Sequence, residues 1–443
     1  MNIQLSEHFT TKKLIRFTLP SIVMMIFTSI YGVVDGFFVS NYVGKTPFAA
    51  VNFIMPFLMI LGAVGFMFGT GGGALIAKTM GEGDSYKANQ LFSLFVYTTA
   101  ACGIVIGFMG ILFIRPLASM LGADGKMLEN CVTYGRIILL VLPCYMLQFE
   151  FQSYFATAEK PQIGLAVTIA SGVTNMVLDA LFVAVFQWGI VGAAAATALS
   201  QVVGGIVPLI YFSRPNSSLL KLSVTKWNGR AILKACTNGS SELMSNISMS
   251  IVSMLYNVQL MKYAGENGVA AYGVLMYVNM IFLALFIGYS VGTAPVIGYH
   301  YGAGNPSELK GLLKRSTRLI GIFAVFMFIL SQILAYPLSK IFVEYDTELL
   351  NLTYHGFKIF SFSFLFAGFS IYGSSFFTSL NNGLVSALIS FLRTLVFQVS
   401  AVLILPVFMG INGIWISISA AELMAVIITV FFIVKMRKRY HYL

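Results

Sequence analysis

From Ala88 to Ile114 the chain has no aspartate, glutamate, lysine or arginine, and neither do Thr46–Ala77, Gly268–Tyr299 or Leu319–Ser339. About 20 consecutive apolar residues cross a bilayer as a helix. Lipid accepts only helices or closed barrels, because every backbone amide must find its partner inside the protein. Uncharged runs of this length are therefore read as helical membrane spans. Composition agrees: 58% of residues are hydrophobic and 10% are charged, against roughly 25% charged in a soluble domain. The expected fold class is an all-α polytopic membrane protein embedded in the lipid bilayer.

Apolar runs between polar breaks number twelve: 14–39, 47–77, 90–114, 132–157, 162–186, 189–212, 232–261, 268–299, 317–342, 352–379, 384–408 and 411–434. Residues 1–16 are largely polar and the first run is too long for a signal-peptide core, so no cleaved leader is expected. The longest connection on the side of the termini, 213–230, falls at mid-chain. It also marks a duplication. A shift of 221 lays NYVGKTPFAAVNFIM (41–55) over KYAGENGVAAYGVLM (262–276), and Gly81 and Gly83 over Gly302 and Gly304. The same shift pairs Pro116-Leu117 with Pro337-Leu338, and Gly189 and Gly192 with Gly410 and Gly413. The organisation read from this is an amino-terminal six-helix lobe (1–212), a linker (213–230) and a carboxy-terminal six-helix lobe (231–443). An even number of spans per lobe makes the repeats parallel, a known transporter plan.

With the amino terminus cytoplasmic, nineteen lysines and arginines fall in inner segments. Five fall outside: Lys45, Arg115, Lys126, Lys262 and Lys340. That bias is the positive-inside rule. It predicts a multi-pass cell-membrane protein with both termini cytoplasmic, the linker included, and it accounts for the net charge of +11 without a nucleic-acid partner. The stretch GTGGGALIAKT (69–79) falls short of a phosphate-binding loop, since Ala77 stands where that motif needs glycine. Its glycines lie within an apolar span, where small residues admit close helix packing. The four cysteines are scattered without ligand spacing and read as apolar filler rather than disulfides. The histidines are equally dispersed. Neither a metal centre, a cofactor nor an enzyme's nucleophile–base set is expected.

Eight charged residues lie inside spans: Asp35, Arg136, Glu150, Asp179, Glu242, Lys358, Arg393 and Glu422. Arg136 and Lys358 are near enough to span ends to reach the interface. Glu150, Glu242, Arg393 and Glu422 are deeper, and structural pairing and a transport role in the cavity weigh about equally for them. Asp35 and Asp179 stand apart because geometry can bring them together. Asp179, within NMVLDALFVAV (175–185), is eight residues before the break at Gln187, or about 12 Å at 1.5 Å per residue. Asp35 has a similar depth in the first span, and Thr197 in the sixth. Asn175 shares a helix face with Asp179. A carboxylate out of water holds a proton more tightly, and a second one beside it strengthens that hold. The oxygens of all four residues equally suit a hard cation such as Na⁺. The second repeat has Tyr256, Ser400 and Ile418 where the first has Asp35, Asp179 and Thr197, so coupling is assigned to the first. Pro20, Pro56, Pro143, Pro208, Pro295 and Pro406 interrupt apolar spans, and each lacks an amide donor and can kink its helix.

These features resemble the multidrug and toxic compound extrusion (MATE) family, above all its DinF-like bacterial branch. The resemblance covers nearly the whole chain. It rests on the two six-span halves, the Pro20…Asp35 spacing, NMVLD in span five, Thr197 at its spacing, and the GEGD and GAGN turns (81–84, 302–305). It implies two bundles in a V that expel cationic or lipophilic compounds by antiport with H⁺ or Na⁺. On this resemblance Asp35, Asn175, Asp179 and Thr197 match the amino-lobe coupling site, and Pro20 the proline at which span one bends. A monomer is expected. The alternatives are a flippase for lipid-linked oligosaccharides from the same superfamily, which needs cationic residues in its cavity and has only Arg393 deep enough, and a non-transporting scaffold or receptor.

Overall fold

A computed structural model of the chain describes residues 3–344 and 346–442. Among these it is helical, and the helices pack as twelve spans. We number them α1, Thr11–Phe38 with a π-helical turn Val39–Val43; α2, Lys45–Gly81; α3, Ser85–Met120; α4, the bent pair Gly125–Leu140 and Leu142–Thr157; α5, Pro161–Asp179 with a π-helical turn Ala180–Val185; and α6, Gly189–Ser213. In the second half they are α7, 229–264; α8, 266–302; α9, Pro306–Val343; α10, Thr347–Phe360 through Phe364–Ser379; α11, Gly383–Phe391 through Gln398–Met409 with a π-helical turn Leu392–Phe397; and α12, Ile411–Tyr440. Residues 229–302 cover 74 residues of helix around a kink, about 110 Å if straight and far beyond a bilayer of roughly 30 Å. Gly265, at φ 61° and ψ −152°, folds that run into two spans.

Sequence dictates the turns directly. Gly83 and Gly304 take φ of 87° and 62°, which side-chain-bearing residues avoid. Asp84 and Asn305 follow them and cap the next helices, accepting the amides of Lys87 at 2.9 Å and Glu308 at 3.0 Å. The GEGD and GAGN turns are thus one capping device used twice. In α4, Pro143 cannot donate to the preceding turn, and the helix bends by 60° there.

The two halves meet on the side that carries the termini. A methyl group at Gly71, Gly81, Gly239 or Gly302 would collide with backbone of the opposite half: Ala235, Tyr299, Met67 and Lys78 respectively. Gly288 and Gly292 of α8 take up Ser21–Ile22 and Thr18 of α1 in the same way. Of the glycines in GTGGG, Gly71 serves this seam, while Gly69, Gly72 and Gly73 pack against α3 and α4 within the first half. The α1–α8 contact extends to Ser29, whose hydroxyl donates to the Met280 carbonyl at 3.4 Å. Among the described residues no hydrogen bond joins the halves beyond it. The close backbone contacts and the hydrogen bonds between the halves are thus gathered toward one closed end.

The segment before α1 reinforces the closed end. Leu5 and Phe9 are fully buried. The Leu5 amide donates to Glu159, in the α4–α5 turn, at 2.5 Å. The Phe9 amide and the His8 ring bind Glu308 of α9 at 3.0 and 2.6 Å, and Arg315 reaches the same carboxylate at 3.1 Å. These few residues strap one half to the other. The four cysteines are free.

Candidate functional site

Asp35 lies in the last α-helical turn of α1 before the chain widens into the π-helical turn Val39–Val43, and Asp179 ends the α-helical part of α5 before Ala180–Val185. Both acids therefore precede an irregular turn, a feature common at functional sites, and the two π turns pack on one another. Gly172 lets α1 come close to α5, since a side chain there would strike the rings of Phe27 and Tyr31. That approach brings the side chains together. Thr197 of α6 donates to Asp35 Oδ1 at 3.3 Å and to its own Ala193 carbonyl at 3.1 Å. Asp179 and Asn175 also face Asp35. Asp179 and Asn175 are 0% and 1% exposed, whereas Asp35 is only partly buried. The first half thus gathers the four residues that the sequence singled out.

Neither acid is in an ion pair among the described residues. Both Asp179 oxygens, with the Asn175 oxygen and nitrogen, are buried without a hydrogen-bond partner. Buried polar atoms are ordinarily satisfied, and these unspent atoms beside a second carboxylate have the chemistry to accept a proton or a small cation. The donor set of carboxylate, amide and hydroxyl oxygens suits either. Among the described residues no cluster of three or more histidine, cysteine or acidic side chains forms a transition-metal site.

Tyr134 was not singled out by sequence. Fully buried in the first part of α4, it faces Thr197 and both acids, and its hydroxyl points to the Met55 sulfur at 3.8 Å. A tyrosine in an apolar span carries no local signal; only the fold reveals it. Pro20 is buried in α1, which runs through it without a break, and it borders a surface cleft with Arg16, Phe17 and Glu159.

The other deep charges separate. Arg393 grips Glu422 with Nε 2.9 Å from both carboxylate oxygens and Nη2 2.8 Å from one, and Ser370 adds a hydrogen bond at 2.9 Å. This geometry favours the structural side of the balance for both residues. It also removes the deep cation that a flippase would need, since the Arg393 charge is neutralised. Glu242 faces Arg393 without an ion pair. Glu150 is 0% exposed and sits among α2, α3 and α4 rather than on an open cavity wall. Arg136 and Lys358 are exposed as expected, Lys358 lying over the Tyr354 ring at 5.0 Å. At the positions repeating Asp35 and Thr197, Tyr256 stacks on Tyr272 with ring centroids 5.2 Å apart, and Ile418 is buried.

The MatE family model matches the chain twice, at residues 20–181 and 243–404. The chain belongs to this family. As a MatE protein it is a multi-pass membrane transporter of small molecules rather than an enzyme. The double match restates the internal repeat at nearly the offset read from sequence. The multidrug export protein MepA of Staphylococcus haemolyticus is 23% identical over 431 residues, covering 97% of this chain and 94% of its own. MepA of Staphylococcus aureus strain N315 is 26% identical over 365 residues, 81% and 80%. Among solved structures, an outward-facing multidrug resistance MATE transporter superposes with a TM-score of 0.92 at 23% identity over 99% of both chains. A Pyrococcus furiosus transporter of the same superfamily, described as having reversed pocket polarity, gives 0.89 at 23% identity over 97% and 96%.

Proposed function

We propose that this MatE protein is a secondary active multidrug exporter, which expels cationic or lipophilic compounds in exchange for H⁺ or Na⁺ bound by Asp35, Asn175, Asp179 and Thr197. What carries the reading is the meeting of two carboxylates on α1 and α5 with no basic side chain paired to either among the described residues. Two like charges in surroundings of low dielectric repel, and binding one small cation relieves both the repulsion and the desolvation. Loss of that cation restores the repulsion between α1 and α5. Pro20, with no amide donor to hold the helix straight, is where α1 yields. The names of the relatives, both multidrug export proteins, support the substrate class.

The same reading places lobes at 1–212 and 231–443 with the linker at 213–230, and both termini in the cytoplasm of a cell-membrane protein that works as a monomer. The positive-inside bias supports that orientation. The closed end then faces the cytoplasm, and the conformation is outward-facing. Compounds enter between the lobes, where methionine and aromatic side chains suit varied shapes and cations.

The test is efflux of a cationic dye by purified protein in vesicles under an imposed H⁺ or Na⁺ gradient. Asp35→Asn and Asp179→Asn should each reduce gradient-driven efflux to the leak of protein-free vesicles while leaving dye binding measurable. Unchanged efflux in both variants ends the coupling-site assignment.

A further inference from the structure

A second carboxyl group in the first half has no assigned purpose. Glu150, in the second part of α4, is completely buried, and neither oxygen has a hydrogen-bond partner. The glutamines two residues to either side point elsewhere: Gln148 bonds Ser171 of α5 at 3.3 Å, and Gln148 and Gln152 together line a small cavity against α5 and α6. Glu150 instead faces α2 and α3. Its polar neighbours are Thr99 and Cys102 of α3 and Tyr154 on its own helix.

The neighbours specify a protonation state. Tyr154 gives its hydroxyl proton to the Phe68 carbonyl at 3.1 Å, so toward Glu150 its oxygen can only accept. The Thr99 hydroxyl is buried and unpartnered, and it has a proton to give. A carboxylic acid supplies one donor and one acceptor, which suits both; a carboxylate supplies no donor. The titratable groups around it are Cys102 on α3, Tyr154 on α4 and, beyond Cys102, Cys236 on α7. None carries positive charge. An ionised Glu150 here would be a buried charge without compensation, which membrane helices do not tolerate.

The location gives that proton a use. Gly69 of α2 rests on the Glu150 backbone, and two residues later Gly71 rests on Ala235 and Gly239 of α7. Cys102 lies beside Glu150 on one side and Cys236 on the other. Only this thin layer separates the carboxyl from the seam between the halves. We propose that Glu150 is a second proton-binding site, separate from the Asp35–Asp179 pair: it holds its proton while the halves are joined at the end bearing the termini and releases it to water when that end opens. The step is a simple dissociation, Glu150 carboxylic acid to carboxylate with the proton passing to solvent on the side of the termini. It rests on the exporter reading, since it needs the halves to part there.

Two measurements on the full-length protein in lipid test it. Infrared spectroscopy at neutral pH should show a protonated-carboxyl stretch that disappears in Glu150→Gln and shifts in Thr99→Val, which removes a donor but no acid. The reversal of substrate transport against opposed pH gradients should show one fewer proton moved per substrate in Glu150→Gln. Absence of that band from the wild-type protein overturns the proposal. A band that is present alongside unchanged proton stoichiometry also overturns it, leaving a permanently neutral structural acid. Should Glu150→Gln fail to fold, the Thr99→Val shift still decides the protonation state. In an Asp35→Asn, Asp179→Asn protein the Glu150 band should persist, so survival of gradient-driven efflux there would sink the exporter's coupling site without being mistaken for failure at Glu150.

Discussion

Tyr134 closes the ring of polar groups around the two acids, and its hydroxyl can be removed without changing charge. Tyr134→Phe deletes a contact to Thr197 and the acids. A neutral hydrogen bond has a net worth of about 1 kcal/mol, or about fivefold in affinity. The expected result is a severalfold shift in the H⁺ or Na⁺ concentration that half-saturates efflux, with the fold intact. The Arg393–Glu422 pair is expected to behave oppositely. Its side chains are 13% and 3% exposed, and removing one partner strands the other, which costs about 3–5 kcal/mol. Arg393→Ala should lower thermal stability sharply, whereas Arg393→Met with Glu422→Leu should restore most of it; a double variant as unstable as the single one would show that the pair does more than pack. Residues were legible in the sequence in proportion to how far they break local pattern. Asp179 inside an apolar run announces itself, and depth counting brought Asp35 and Thr197 to it. Tyr134 breaks no pattern. The partnership of Arg393 with Glu422 joins positions 29 residues apart on different helices, and no spacing reveals it.

Glycines do at the level of helices what the acids do at the level of the site. Gly239 and Gly302 allow backbone to touch backbone across the seam. Alanine at either position should disfavour the joined arrangement by about 1–3 kcal/mol, the ordinary cost of overpacking. The readout is greater labelling by a thiol reagent applied from the side of the termini in Gly302→Ala than in the parent. Twelve helices were legible because hydropathy reports lipid contact; their ends were less so. The fourth begins at Gly125 rather than 132, and the ninth at Pro306 rather than 317. In both, the missing turns carry charge: Lys126 and Glu129, or Glu308, Lys310, Lys314 and Arg315. Charge ends a hydrophobic run, but it does not end a helix that projects beyond lipid. The π-helical turns after Asp35 and Asp179 left no mark in composition at all, since they are a matter of backbone register.

The whole molecule, its halves joined at one end, should be trappable in that arrangement. Cys102 and Cys236 belong to different halves and lie close together. A short bifunctional thiol reagent should link them, stop transport, and lose its effect in Cys236→Ser; transport continuing in a fully linked sample would mean that the halves need not separate there. The strap of residues 5–9 adds a second restraint at the same end. It hangs from Glu159 on one bank and Glu308 on the other, and Glu308 holds it with the greater number of bonds. Glu308→Ala should therefore favour the arrangement open toward the termini, read as faster labelling of Cys236. Residues 5–9 run directly into α1 at Thr11, so the Glu159 bond lies within the first half and the bonds to Glu308 are the ones that break when the banks separate. The leading residues then stay with the first half, like a latch that lifts off its catch and swings with its own door.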